Sequence, residues 1–210
     1  TSAIATMNGD NGRCFPGRPV FMNESVESLA VLDDRLRSLL QDYAGREPSH
    51  GELAAEFGTL LDDPEDPFRR ERLAGHFTAS CWLVSADGQR VLLTHHRKLQ
   101  RWLQLGGHAD GDRDLAHVAL KEGEEESGLT GLVLEDPAIF DLDKHWIPER
   151  KDVPGHWHYD VRFVIRALGG EDFVLSEESL DLAWRPVTEV AADPESDESM
   201  QRMARRWLAR

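Results

Sequence analysis

Residues 107–129, GHADGDRDLAHVALKEGEEESGL, constrain the fold of this 210-residue chain more than any other stretch. A short extended piece over 101–105 runs into Gly106-Gly107, a polar loop follows, and a helix reads from 114 to 127. Leu115, Val118 and Ala119 form its apolar stripe, Asp112 or Asp114 its N-cap, and Gly128 its stop, because glycine enters the left-handed region without a steric penalty. Glu122, Glu125 and Glu126 stand at i, i+3 and i+4, so the helix gathers three carboxylates on one face within a turn. Their repulsion is relieved by a hard cation with oxygen ligands, which points to Mg²⁺ or Mn²⁺. A solvated acidic helix face is the plainer alternative. Gly123 in mid-helix costs about 1 kcal/mol against alanine, which predicts another backbone packed closely there.

The surrounding chain alternates short strands with few helices. Apolar residues at helical spacing predict one helix over 24–43 (Leu29, Leu32, Leu36, Leu39, Leu40, Tyr43) and a second carrying Leu53, Phe57, Leu60 and Leu61. The acidic, proline-containing segment 62–67 breaks that pattern. Strands are expected at 77–85, 90–94, 132–134, 139–142, 156–167 and 180–185. Ala86-Asp87-Gly88-Gln89 makes a hairpin turn in which Asp87-Gly88 supplies positive φ angles. Met200, Met203, Ala204, Trp207 and Leu208 mark a closing helix. The expected class is α+β, with a flexible leader over 1–21, a helical N-terminal appendage over 22–72 and the main domain over 73–210.

Thirty-nine Asp and Glu against 24 Lys and Arg give a formal charge of −15. That field repels nucleic-acid polymers and anionic membranes, yet an anionic small molecule remains accessible through a bridging cation. No apolar run approaches the roughly 18 residues of a membrane span. The leader lacks the continuous apolar segment of a secretory signal, and Cys14 and Cys81 form no disulfide or zinc pattern, so a cytoplasmic location is expected.

The glycine, loop, glutamate-rich helix and second glycine together resemble the Nudix box of the Nudix hydrolases, G-x5-E-x7-R-E-U-x-E-E-x-G-U with U aliphatic. Gly107, Glu122, Glu125, Glu126, Gly128 and Leu129 fall on matching positions. Arg113 stands at the first glutamate, Lys121 at the arginine and Gly123 at the aliphatic residue. The resemblance covers roughly residues 76–190 and implies an α/β/α sandwich with a mixed sheet. It also implies a Mg²⁺- or Mn²⁺-dependent pyrophosphohydrolase that cleaves a diphosphate linkage in a nucleoside diphosphate joined to another moiety. By the same resemblance Gly106 (through its carbonyl), Glu122, Glu125 and Glu126 would hold metal, and Glu178 would join from a late loop. Glu125, Glu126 and Glu178 would carry catalysis, with Glu125 or Glu178 as general base.

Positive groups are needed to hold the outer phosphate, and His95, Arg97, Lys98 and Arg101 cluster just before the box. Over 156–165 the chain alternates His156, His158, Asp160 and Arg162 with Trp157, Tyr159, Val161, Phe163 and Ile165. A half-wet strand explains this, and it sends His156 and His158 toward substrate while the five large apolar residues face the core. His108 and His145 could join them, no ligand spacing supports zinc, and His50, His76 and His117 read as structural. The rival readings are a non-catalytic Nudix-fold module that binds a nucleotide or protein, and a scaffold whose terminal helices form a homodimer.

Overall fold

The structure is a computed structural model and describes residues 28–97, 100–150, 153–175 and 179–210. Residues 1–27, and with them the expected leader and the start of the first helix, lie outside the described residues, as do Lys98 and Glu178. Two helices come first, α1 (Leu29–Arg46) and α2 (Gly51–Leu61), joined by a single 3-10 turn. The strands are β1 (Gly75–Val84), β2 (Arg90–His96), β3 (Arg101–Leu103), β4 (Leu105–His108), β5 (Leu132–Leu134), β6 (Asp141–Ile147), β7 (His156–Ala167) and β8 (Ser179–Pro186). Helix α3 (Leu115–Ser127) follows β4, and α4 (Val187–Ala192) and α5 (Glu198–Leu208) close the chain.

All eight strands belong to one mixed sheet. Its centre is the parallel pair β1–β7, in register from Gly75↔Trp157 to Val84↔Arg166, and every other pairing is antiparallel. Alternate residues of β1 serve opposite layers. Phe77, Ala79, Cys81 and Leu83 join α1, α2 and α3 in one buried cluster, whereas Trp82 and Val84 join α4 and α5 in another. Helices therefore cover both faces of a mixed sheet, as the α/β/α sandwich reading expects. The N-terminal helices share the main core: Phe57 meets Phe77 at 6.1 Å and Tyr159 at 5.2 Å between ring centroids.

Several local expectations need correction. The 101–105 piece is two strands interrupted at Gln104, the 139–142 strand begins at Asp141 and runs to Ile147, and α4 had no sequence signal. At the β1–β2 turn only Gly88 has a positive φ (71°), and Asp87 instead accepts hydrogen bonds from Ser85 Oγ (2.6 Å) and the Gln89 amide (3.0 Å). Gly123 packs against side chains rather than backbone, since a Cβ there would lie 3.2 Å from Cys81 Sγ and 3.4 Å from Leu132 Cδ1. Gly128 does end α3 at φ 66°, and Asp114 caps its start by accepting from the His117 amide at 3.1 Å.

The polar face of β7 is not wet. Asp160 and Arg162 are buried, while Trp157 is 37% exposed and stacks edge-on against Trp146. Asp160 accepts from Thr78 Oγ1 (3.0 Å), Ser80 Oγ (2.8 Å) and Arg162 Nε (2.8 Å). Asp141, fully buried, is bound by Arg162 (3.2 Å), Arg202 (2.7 Å) and Arg206 (2.7 Å). Asp143 pairs with Arg162 and Arg202 at 3.3 Å. Three aspartates thus balance three arginines and fasten α5 to the sheet. Burial opposes charge on Arg162, but Asp160, Asp143 and Asp141 outweigh it and raise the guanidinium pKa.

Candidate active site

The glycine pair before α3 fixes the site. β4 lies antiparallel to β1, with Gly106 opposite Ser80 and Gly107 opposite Ala79. A Cβ at Gly106 would sit 2.6 Å from the Ala79 carbonyl oxygen. One at Gly107 would sit 2.7 Å from Glu122 Oε2 and closer still to Oε1. Only glycine lets the Glu122 carboxylate reach the backbone of this strand.

Glu122 and Glu126 are both half-buried, one helical turn apart on α3. Burial pushes the Cys81 thiol well up, and the charges of Glu126 and then Glu122 push it further, so both carboxylates lie within electrostatic reach of this β1 residue. Glu125 is exposed, with its Oε1 3.7 Å from Lys121 Nζ. Two half-buried hard carboxylates beside the Gly106-Gly107 pair make a donor set suited to Mg²⁺ or Mn²⁺. Arg70, which sequence reasoning did not single out, lies within electrostatic reach of Glu122. It holds Asp110 through Nε–Oδ1 at 2.5 Å and a second, parallel contact. No local motif surrounds Arg70, so only the folded chain brings it to the box.

The residues expected to bind substrate fall in two groups. His95, Arg97 and Arg101 lie on the β2–β3 hairpin, where His95 packs on Trp102 (5.2 Å) and Arg101 Nη1 is 3.4 Å from Asp197. His156 and His158 lie on β7 in ring contact with His76, and His158 also meets His108 and His145. His76, read from sequence as structural, is therefore part of a histidine cluster, because β1 and β7 are parallel neighbours with His76 opposite His158. Burial and then the neighbouring imidazoles push His158 well down, burial and then Arg70 bring His108 to about 4, and burial lowers His76.

Arg113 explains one departure from the box. Its Nη1 lies 2.6 and 2.7 Å from the two oxygens of Asp33 on α1, its Nη2 is 3.3 Å from Asp66, and its guanidinium lies 4.7 Å over the Phe68 ring. The position ties the box loop to the N-terminal helices. Arg113→Ala is expected to lower the unfolding free energy by about 2 kcal/mol, the worth of hydrogen bonds to a charged group, as read by urea denaturation. Arg113→Glu, which restores the box residue, sets a carboxylate against Asp33 and Asp66 and should lose more. An unchanged midpoint in both variants would contradict this role.

Residues 75–207 match the family model described as NUDIX domain. The chain therefore belongs to that family, and it is a hydrolase acting on phosphorus-containing acid anhydrides. Among solved structures, the MutT protein from Methanosarcina mazei Go1 is similar at 18% identity, with 66% of this chain and 96% of that chain covered and a TM-score of 0.50. A NUDIX family hydrolase from Clostridium perfringens matches at 20% identity over 64% of this chain and 96% of its own, TM-score 0.49. The C. elegans Ap4A hydrolase binary complex matches at 17% identity over 63% and 95%, TM-score 0.48. No curated protein matches the chain. No helix among the described residues is long and apolar enough to cross a membrane.

Proposed function

We propose that the protein is a divalent-metal-dependent pyrophosphohydrolase that cleaves the diphosphate linkage of a nucleoside diphosphate joined to another moiety. The observation that carries this reading is the Glu122 carboxylate seated against the glycine strand, with Glu126 one turn away. Glu122, Glu126 and the Gly106 carbonyl would hold the cation. When bound there, Mg²⁺ or Mn²⁺ neutralises phosphate charge and acidifies the attacking water. Glu125, which is exposed, or Glu178 would accept the water's proton as general base. His95, Arg97, Lys98 and Arg101 would bind the outer phosphate as charge-assisted donors. Residues 73–210 form the hydrolase domain in this reading, with 22–72 as its N-terminal appendage, whose helices α1 and α2 pack on its core.

A panel of nucleoside diphosphate derivatives, phosphomonoesters and peptides incubated with saturating Mg²⁺ tests the proposal. Cleavage confined to diphosphate-linked compounds, giving two phosphate-bearing fragments or a nucleoside monophosphate, is expected. An intact diphosphate panel would hand the lead to a non-catalytic binding module.

A further inference from the structure

We propose that His76, His108, His156 and His158 form a binding site for a divalent transition-metal ion of the zinc class, distinct from the carboxylate site of α3. Three strands contribute: His76 from β1, His108 from β4, and His156 and His158 from β7. Ladder pairing fixes their relative positions, with His76 opposite His158 and His108 opposite Thr78. Ring centroids are 5.0 Å apart for His76–His156, His76–His158, His108–His158 and His156–His158, and 5.2 Å for His76–His108.

The ring nitrogens crowd together. His76, His108 and His158 each offer one ring nitrogen, all within 4.8 Å of each other. His156 Nε2 and His158 Nε2 are 3.2 Å apart. Tetrahedral zinc with bonds of about 2.0–2.1 Å separates its nitrogen ligands by about 3.3 Å, so this pair is already spaced for one ion. His76 Nδ1 lies 3.2 Å from the Arg72 carbonyl oxygen and His156 Nδ1 2.8 Å from that of Pro154. A carbonyl only accepts, so in both rings Nδ1 carries the proton and Nε2 keeps its lone pair. That is the arrangement in which a backbone carbonyl orients a metal-ligating histidine.

His76 Nε2 supplies the independent sign. It is buried and has no hydrogen-bond partner. A His158 Nε2–H donated to His156 would satisfy that pair within the protein, but it leaves the His76 lone pair facing nothing. An ion held among His76, His108 and His158 would satisfy that lone pair. Arg70, whose charge reaches His76 and His108, is neutralised by its paired contacts with Asp110. The donor set is imidazole without carboxylate, which selects Zn²⁺, Co²⁺, Ni²⁺ or Cu²⁺ over Mg²⁺. Because His108 directly follows Gly107, a bound ion would pin the glycine strand to β1 and β7 beside the carboxylate site.

Co²⁺ titrated into the metal-stripped full chain, with excess Mg²⁺ present to occupy the carboxylates, is the test. One equivalent should bind with the intense visible absorption of tetrahedral cobalt on nitrogen donors, and Zn²⁺ should displace it. His76→Gln and His158→Gln should each weaken Co²⁺ about tenfold or more, whereas Glu126→Gln should leave it unchanged. The wild-type spectrum needs no variant to fold: an octahedral, weakly absorbing signal, or no binding above that of Mg²⁺, would overturn the proposal. Loss of the signal in Glu126→Gln with retention in the histidine variants would overturn it as well.

Discussion

Replacing Arg162 with methionine is expected to lower the unfolding free energy by about 3–5 kcal/mol, the cost of leaving buried charge without its partner. The Arg162 side chain is 3% exposed and touches Asp160 (2.8 Å), Asp141 (3.2 Å) and Asp143 (3.3 Å). Methionine fills the same volume and lies beside Met203, already 3.8 Å away through its sulfur, so the loss is electrostatic rather than a cavity. With the guanidinium gone, three aspartates face Arg202 and Arg206 alone. Asp160 keeps only its hydroxyl and Gln104 donors among the described residues. Total stability of a domain is about 5–15 kcal/mol, so the variant should approach the limit of folding. Adding Asp160→Asn should recover part of the loss, since the two groups form one network. Chemical denaturation of the three proteins measures this, and a loss under about 1 kcal/mol for Arg162→Met would mean that the network is not the clasp described above.

Asp143 adds a pH dependence of known sign. Burial would raise its carboxyl pKa, but the His145 hydrogen bond and the charges of Arg162 and Arg202 bring it well below the usual range. A carboxyl depressed in the folded state stabilises above its unfolded pKa of about 4, and the contribution is lost as pH falls below that value. The clasp is therefore acid-labile.

The box helix, its N-cap, its glycine stop and the strand over 77–85 were legible because each rests on local chemistry: a periodicity, a capping aspartate, a residue free to adopt positive φ. The clasp and the histidine cluster were not. The alternation of β7 correctly separated His156, His158, Asp160 and Arg162 from Val161, Phe163 and Ile165. It could not say what covers each face, and α5 supplies the arginines that dry the polar one. Likewise His76 looked like an isolated core histidine, since nothing local reveals that its strand runs parallel to β7 in the register that faces it with His158. Arg113 read as a defect in the box, whereas its partners Asp33 and Asp66 lie 80 and 47 residues earlier.

Glu126→Gln is expected to reduce diphosphate hydrolysis by about 10²–10⁴-fold with little change in stability. The substitution keeps shape and removes one of two half-buried negative charges, so under the proposed assignment the cation would lose a ligand while α3 keeps its packing. If anything the fold gains, because like charges one turn apart repel. Raising the metal concentration should restore part of the rate when the defect is in binding. Calorimetric titration of the metal-stripped wild type and Glu126→Gln with Mg²⁺ tests the central claim most directly. A saturable wild-type isotherm that weakens at least about tenfold in the variant is the predicted result; equal affinity in the two proteins would contradict the assignment of Glu126 to the metal site.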